Sequence, residues 1–232
     1  RSRAASSLAA MSSSCPSDPA EAGIPHPPQV AGEVFGARLP NAIRYAALLA
    51  GTGVTHGLIG PREVPRLWDR HILNCAVVGE AMPVAGARVI DVGSGAGLPG
   101  VALAIARPDL DVHLIEPMLR RTEWLATCVA ELRLANVTVH RGRADAYAGS
   151  LTGRYVTARA VARLPKLLGW CAPLAESGGE IVVMKGSSAA VELAEAAVLL
   201  RSLHLGAGRV VTVGAALPDP TTLVVVARRP RS

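Results

Sequence analysis

The stretch 87–116 holds the residues whose types and spacing most clearly indicate a chemical role. A run of apolar residues leads into Asp91, a glycine-rich loop follows, and a second apolar run ends on Glu116. Glycine occupies every second position over 93–97, and glycines let the backbone pass close to a ligand. A carboxylate that ends the second strand can accept hydrogen bonds from ribose hydroxyls. The stretch therefore predicts a site for a nucleoside-bearing cofactor.

Two classes of cofactor fit this loop. Gly95, Gly97 and Gly100 satisfy the pattern G-x-G-x-x-G, so an NAD-dependent oxidoreductase remains an alternative. The longer run, with Asp91 two residues before the first glycine, resembles motif I of class I S-adenosylmethionine-dependent methyltransferases, which we favour. The carboxylate of Asp91 suits the cationic sulfonium end of that donor. The cofactor-binding candidates here are Asp91, Gly93, Ser94, Gly95, Gly97, Leu98 and Glu116.

The composition bounds the class of protein and its partners. The chain has 232 residues, 50% of them hydrophobic, which predicts one well-filled domain. Lys and Arg number 24 against 18 Asp and Glu, and the net charge of +6 favours an anionic partner such as nucleic acid. The four cysteines lie far apart with no C-x-x-C pair, so we expect reduced thiols in the cytoplasm and no metal site. No apolar run reaches the roughly 18 residues of a membrane span.

The chain divides into three segments. Residues 1–30 are rich in Ser, Pro and Ala and predict a disordered leader. Helical spacing over 35–53 and 60–82 predicts an N-terminal helical cap over 31–84. Over 85–232 strands alternate with helices, which predicts an α/β domain with a mostly parallel sheet. The alternating strands are expected near 87–93, 111–116, 136–141, 155–160 and 180–185.

Two further strands, near 209–213 and 222–228, have no helix between them and should form an antiparallel hairpin. A sheet of seven strands that ends in such a hairpin resembles the class I methyltransferase topology more than a six-stranded dinucleotide fold. Ligands of open parallel sheets bind at the carboxyl ends of the strands. The positions expected there are 93–98, Glu116, 142–146, Arg159 and Lys185.

From about Trp68 to Arg228 the chain resembles the bacterial small-subunit ribosomal RNA guanine-N7 methyltransferases, also called the glucose-inhibited division protein B family. The resemblance depends on the order of several short motifs. These are Arg70-His71-Ile72-Leu73, the glycine run from Asp91 to Gly100, Arg107-Pro108, Gly142-Arg143-Ala144-Asp145, Arg159-Ala160 and Lys185-Gly186. The chain departs from the family pattern at Asn74, Asp145 and Ala158, where aspartate, glutamate and serine are common.

The resemblance implies methyl transfer from S-adenosylmethionine to N7 of a guanine in the helix 18 loop of 16S rRNA, either free or in a small ribosomal subunit particle. It implies that Gly93 and Leu98 contact the donor and that Glu116 holds its ribose. It places Ala144 and Asp145 at the adenine. It places Arg159 at the junction of donor and guanine.

Guanine N7 has an available lone pair, so no general base is expected, and catalysis should come mainly from positioning. Arg159, Arg70 and His71 are the candidate catalytic residues, in positioning roles. A monomer is expected, without a metal ion or a membrane. A methyltransferase for a small molecule and a non-catalytic RNA-binding module also remain open. Candidates for phosphate contacts are Arg62, Arg66, Arg70, His71, Arg141, Arg143, Arg228, Arg229 and Arg231.

Overall fold

A computed structural model describes residues 24–159 and 162–230. The predicted α/β fold with a seven-stranded sheet is confirmed. The strands are β1 (Arg88–Val92), β2 (Asp111–Glu116), β3 (Val137–Arg141), β4 (Gly153–Arg159), β5 (Ala175–Lys185), β6 (Leu205–Val213) and β7 (Thr221–Arg228). Their order across the sheet is β3-β2-β1-β4-β5-β7-β6. Strand β7 is antiparallel to both neighbours, and the other pairings are parallel.

Helices cover both faces of this sheet. They are α1 (Gln29–Phe35), α2 (Leu39–Leu48), α3 (Asn74–Ala76), α4 (Gly100–Ala106), α5 (Leu119–Glu131), α6 (Leu164–Cys171), α7 (Ala189–Glu195) and α8 (Ala197–Ser202). No helix in the described ranges is long and apolar enough to cross a membrane. Of the four cysteines, Cys75, Cys128 and Cys171 are free and buried, whereas Cys15 lies outside the described residues.

Side chains of the central strands alternate between two apolar layers. Val89 and Tyr155 belong to the layer shared with α4, α5 and the cap. Ile90 and Val156, their neighbours in sequence, belong to the layer under α6, α7 and α8. Because residues i and i+2 of a strand share a face, Asp91, Thr157 and Arg159 all point toward the cap side. The sheet thus brings three polar residues of β1 and β4 under the cap.

The cap consists of α1, α2 and a run of short helical turns over 61–81, called the cap segment below. This segment was expected to be one helix over 60–82, but it winds through 3₁₀ turns at Pro61–Arg66 and wider turns at Leu67–Leu73. Pro65 lies inside the first of these turns and has no backbone N–H to donate, so a regular helix cannot run through it.

Residues 24–30 differ from the expected disordered leader. Ile24 is 4% exposed and belongs to the cap-side core, and α1 begins at Gln29. The indole Nε1 of Trp68 donates to the carbonyl of Pro25 at 2.8 Å. A short segment of apolar and proline residues can therefore be held by packing that composition does not reveal. The rest of the expected leader, residues 1–23, lies outside the described residues.

Candidate active site

The glycine loop lies between β1 and α4, at the carboxyl edge of the sheet. Gly93, Gly95 and Gly97 have φ of +72°, +55° and +84°, a region that residues with a Cβ rarely adopt. The N–H groups of Gly93 and Ser94 donate to the carbonyl of Ile115 at 2.8 and 3.1 Å. The backbone path of the loop therefore requires glycine at these three positions.

Asp91 lies at the centre of this loop and is completely buried. Its Oδ2 accepts a hydrogen bond from the N–H of Gly100 at 3.0 Å, whereas Oδ1 has no partner among the described residues. Thr157, which pairs with Asp91 across β1 and β4, also has a buried Oγ1 without a partner. Burial raises the pKa of Asp91 to about 7, against the hydrogen bonds that lower it. Two neighbouring acceptors thus lack donors at the site proposed for a cation.

Glu116 ends β2 as predicted, and its side chain is 2% exposed. Its Oε2 accepts from the N–H of Gly95 and its Oε1 from the N–H of Met118, both at 3.0 Å. A carboxylate oxygen accepts more than one hydrogen bond, so these contacts leave acceptor capacity for ribose hydroxyls. Glu116 therefore also holds the glycine loop, a role that its strand-end position did not indicate.

A cavity of about 120 Å³ lies beside the glycine loop and the residues on either side of Glu116. It is lined by Val92, Gly93, Ile115, Pro117, Gly142, Arg143, Ala144, Asp145 and Trp170. A Cβ on Gly142 would come within 2.8 Å of Tyr147, so this position also requires glycine. The carboxylate of Asp145 is bonded to Arg143 Nε at 3.2 Å, and this hydrogen bond holds the pKa of Asp145 below its usual value. The structure thus brings Ala144 and Asp145 to the glycine loop.

The cap closes over the loop through Tyr45, which the sequence did not single out. The fully buried hydroxyl of Tyr45 on α2 donates to the carbonyl of Ala96 at 2.7 Å. A Cβ on Gly97 would lie 2.5 Å from Val101 and 3.1 Å from the Tyr45 hydroxyl. Leu98 is 9% exposed beside them. The loop is therefore fixed from both the sheet and the cap.

Arg159, at the end of β4, reaches the cap segment. Its Nη1 donates to the sulfur of Cys75 at 2.9 Å, and its Nη2 donates to the carbonyl of Arg70 at 2.9 Å. Nη2 also lies 3.0 Å from Nδ1 of His71. Because a guanidinium has only donors, Nδ1 of His71 must be the acceptor. Of the five N–H groups of Arg159, those on Nε and the second on Nη1 have no partner in the described part of the chain.

Glu63 completes this chain of contacts and was missed by the sequence analysis. Its Oε2 lies 2.8 Å from Nε2 of His71. Since Nδ1 of His71 accepts from Arg159, the proton of a neutral ring is on Nε2 and points to Glu63. Burial lowers the pKa of His71, and Arg159 lowers it further against the opposing effect of Glu63. The histidine is therefore held neutral in the tautomer that can receive Arg159.

Two candidates have roles that differ from the expectation. Arg70 contacts Arg159 through its backbone carbonyl, while its guanidinium is half exposed and lies 3.6 Å from Glu63. The ammonium of Lys185 is not free in the crevice, because it bonds to Glu192 at 2.8 Å and to the carbonyl of Ala162 at 3.1 Å. Lys185 thus joins the carbonyl of Ala162 to Glu192 on α7.

The arginines expected to contact phosphate differ in their exposure and in their partners within the fold. The side chains of Arg62, Arg66 and Arg70 are exposed along the cap segment. Arg228 is instead used inside the fold, where its Nη1 donates to the carbonyl of Ala172. Arg231 lies outside the described residues. The described residues contain no cluster of three or more His, Cys, Asp or Glu that could hold a metal ion.

The fold and the loop define the class of protein. A sheet of seven strands with β7 inserted antiparallel between β5 and β6 is the class I methyltransferase architecture, and a six-stranded dinucleotide fold has no such strand. The fold is similar to that of the O-methyltransferase TomG from Streptomyces achromogenes, solved in complex with SAM. The TM-score is 0.54 at 16% sequence identity, over 82% of this chain and 89% of that one.

Sequence comparison resolves the family. The family model for rRNA small subunit methyltransferase G (GidB) matches residues 38–216. The chain is 57% identical over 199 residues to the ribosomal RNA small subunit methyltransferase G of Thermobifida fusca. This alignment covers 86% of this chain and 84% of that protein. The chain is 52% identical over 215 residues to the protein of the same name from Salinispora tropica, covering 88% of each. The chain belongs to the rRNA small subunit methyltransferase G family.

Proposed function

We propose that this chain transfers the methyl group of S-adenosylmethionine to N7 of a guanine in the helix 18 loop of 16S rRNA. The observation that carries the proposal is membership of a ribosomal RNA methyltransferase family over residues 38–216. The substrate is 16S rRNA or a small ribosomal subunit particle. The enzyme acts in the cytoplasm as a monomer.

The residues at the glycine loop fit the donor. Oδ1 of Asp91 and Oγ1 of Thr157 are buried acceptors without a donor, and burying such groups unpaired is costly. The positively charged methionine end of the donor would supply the missing partner. Glu116 would hold the ribose hydroxyls, and Ala144 and Asp145 would border the adenine in the 120 Å³ cavity.

When bound, S-adenosylmethionine supplies a methyl group activated on a sulfonium. The lone pair of guanine N7 needs no deprotonation, so the protein has to align the nucleophile with that methyl group and exclude water. Alignment of this kind lowers the activation barrier by on the order of 7 kcal/mol or more. Tyr45 of α2 covers the loop at Ala96 and Gly97.

In this proposal Arg159 orients the guanine. Three of its N–H groups are fixed by Cys75, the Arg70 carbonyl and His71, so its side chain has one well-defined position. Its two remaining N–H groups can donate to acceptors of donor or base. His71 and Glu63 are positioning residues that act through Arg159.

Binding of the donor is tested by calorimetric titration of the purified protein with S-adenosylmethionine and, separately, with NADH. One site for S-adenosylmethionine and no heat with NADH are expected. Absence of S-adenosylmethionine binding, or saturable binding of NADH at the same site, would refute the proposal.

A further inference from the structure

A second cavity, of about 250 Å³, lies between the cap segment and the loop 214–220 that joins β6 to β7. The loop contributes Leu217, Pro218 and Asp219 to its lining, and the cap segment contributes Leu73 and Asn74. The cavity is next to the donor junction, because Arg70, which also lines it, accepts a hydrogen bond from Arg159 through its carbonyl. Arg70 thus links the wall of the cavity to the guanidinium of Arg159.

Asp219 is an unusual residue for this position. The neighbouring face of the cap segment is basic, with exposed Arg62, Arg66 and Arg70, which suits the phosphates of RNA. Two carboxylates line the cavity: Asp69 lies between Arg66 and Arg70 in the sequence of the cap segment, whereas Asp219 comes from the other wall. Asp219 has no hydrogen-bond or ion-pair partner among the described residues. Its own loop carries no lysine or arginine.

The backbone holds Asp219 in place before any ligand binds. Pro218 and Pro220 flank it on both sides, and a proline restricts both its own φ and the residue that precedes it. A restricted loop loses little conformational entropy when it binds. Asn74, on the opposite wall, has a buried Oδ1 that accepts no hydrogen bond from the described residues.

Guanine matches a carboxylate that has no other partner better than any other RNA base does. Its Watson–Crick edge carries two adjacent donors, N1–H and the N2 amino group, whereas a carboxylate has only acceptors. Enzymes that modify a base flip it out of the stack, read its Watson–Crick edge with hydrogen bonds and pack its faces between apolar side chains. N7 lies on the opposite edge of the purine, so holding the Watson–Crick edge leaves N7 free to react.

Given the proposed function, we propose that this cavity holds the target guanine and that the carboxylate of Asp219 accepts hydrogen bonds from its N1–H and N2 amino groups. Leu73, Leu217 and Pro218 supply the apolar contacts to the faces of the ring. Asp219 is thus the residue that selects guanine, whereas Arg159 places it against the donor.

The test uses small ribosomal subunits reconstituted with 16S rRNA that has either guanosine or inosine at the target position. Inosine keeps N1–H and N7 but lacks the N2 amino group. With the wild-type chain, inosine should lower kcat/KM by about tenfold. Asp219→Asn should lower kcat/KM on guanosine subunits by about tenfold or more. In this variant, replacing guanosine by inosine should lower kcat/KM further by less than about threefold. Calorimetry with S-adenosylmethionine should be unchanged, which shows that the variant is folded.

Glu33→Gln is the matched control, because Glu33 is an exposed carboxylate on α1 that lies outside the cavity, and the substitution removes the same charge. We expect kcat/KM for Glu33→Gln to stay within about threefold of wild type. Equal losses in both variants, an inosine penalty as large in Asp219→Asn as in wild type, or full activity of Asp219→Asn would each overturn the proposal. Wild-type methylation of guanosine subunits tests the proposed function separately, since it does not depend on Asp219.

Discussion

Arg159 and His71 lie on different layers of the molecule, yet Nη2 of Arg159 is 3.0 Å from Nδ1 of His71. The contact requires an unprotonated Nδ1, because two donors cannot share it. Glu63 secures this state by accepting a hydrogen bond from the Nε2 proton at 2.8 Å. A carboxylate on the cap segment thereby controls the position of an arginine at the end of β4.

The first prediction concerns the pH dependence that this contact imposes. Burial lowers the pKa of His71, so the ring is neutral at pH 7 and gains a proton only below its usual range. Protonation repels Arg159, so kcat at saturating donor and RNA should fall on the acid side. Glu63 raises the pKa of His71, so in Glu63→Gln the acid limb should move to lower pH. The pH profile of kcat for both proteins measures this shift.

Glu63→Ala provides the contrast to that variant. In Glu63→Gln the amide oxygen can still accept a hydrogen bond from His71 Nε2. In Glu63→Ala no side-chain acceptor remains, so the imidazole ring is free to turn. We expect a loss of about tenfold in kcat for Glu63→Ala, with S-adenosylmethionine binding retained. An acid limb that stays in place in Glu63→Gln would show that His71 does not act through Arg159.

A second prediction concerns Asp91 and the donor. Burial raises the pKa of Asp91 to about 7 in the free protein, and a cationic ligand favours the ionised form. Donor binding should therefore release a proton, and affinity for S-adenosylmethionine should rise with pH up to about 7. Asp91→Asn keeps an acceptor for the Gly100 N–H but cannot ionise. Its affinity for S-adenosylmethionine should therefore be weaker and should not show this rise with pH. Calorimetry from pH 6 to about 8 makes the comparison.

The raised pKa of Asp91 also determines how the stability of the protein changes with pH. The folded pKa of Asp91, about 7, lies above the unfolded value of 3.8. Ionisation therefore favours the unfolded chain, and stability of the free protein should decrease as pH rises from about 4 to about 7. In Asp91→Asn this decrease should be smaller. Thermal unfolding of both proteins across this range checks it, and identical slopes would contradict the burial of an ionisable Asp91.

The third prediction compares two helical glycines. A Cβ on Gly100 would lie 2.3 Å from Leu114 and 2.7 Å from Oδ2 of Asp91. Gly100→Ala should therefore displace Asp91, destabilise the protein by about 1 to 3 kcal/mol and weaken donor binding. Gly32→Ala on α1 is the control, because no other side chain or packed backbone of the described residues lies within 4 Å of a Cβ placed there, and alanine favours a helix. Melting temperatures and calorimetry should separate the two, and equal behaviour would argue against the close packing of the loop.

The fourth prediction concerns the Lys185–Glu192 pair. Glu192 accepts from Lys185 Nζ at 2.8 Å, from the N–H of Leu164 at 2.7 Å and from Ser188 Oγ at 2.8 Å. The bond from Lys185, with the others, lowers the pKa of Glu192 from 4.5 to about 2. Its stabilisation is thus complete above the unfolded pKa and is lost as pH falls toward about 2.

Glu192→Gln should lower the free energy of unfolding at pH 7 by about 2 to 3 kcal/mol, since it leaves the buried charge of Lys185 unpaired. Glu195 on the same helix pairs with Arg163 at 2.7 Å but is about half exposed. Glu195→Gln should change stability by less than about 1 kcal/mol. Chemical denaturation measures both, and similar values would show that the buried pair has no special role.

The sequence predicts well what local patterns determine. The predicted bounds of β2 agree with the structure, and those of β1, β3 and β7 differ from it by about one residue, because apolar runs bounded by turns specify buried strands. Strand β5 begins at Ala175, five residues earlier than expected near 180. Gly178, with φ of +77°, and Gly179 interrupt the strand pattern there, and the register shifts between Gly153 and Tyr155 of β4 where it pairs with β5. Glycine in a strand thus concealed its first half.

The sequence does not predict contacts between the cap and the sheet. Tyr45 is 51 residues from Ala96, and Arg159 is 88 residues from His71. Nothing in the periodicity around Glu63 or Asp219 distinguishes these carboxylates from solvent-exposed charges. Their neighbours are defined only when the cap segment and the β6–β7 loop fold over the carboxyl edge of the sheet.

The most direct test of the central claim is methyl transfer itself. Purified protein, S-adenosylmethionine and small ribosomal subunits from a strain that lacks the endogenous activity are incubated together, and the 16S rRNA is digested and mapped by mass spectrometry. We expect one added methyl group, on N7 of a guanine in the helix 18 loop, and none with Arg159→Ala. An unmodified rRNA, or a methyl group at another atom or site, would contradict the account.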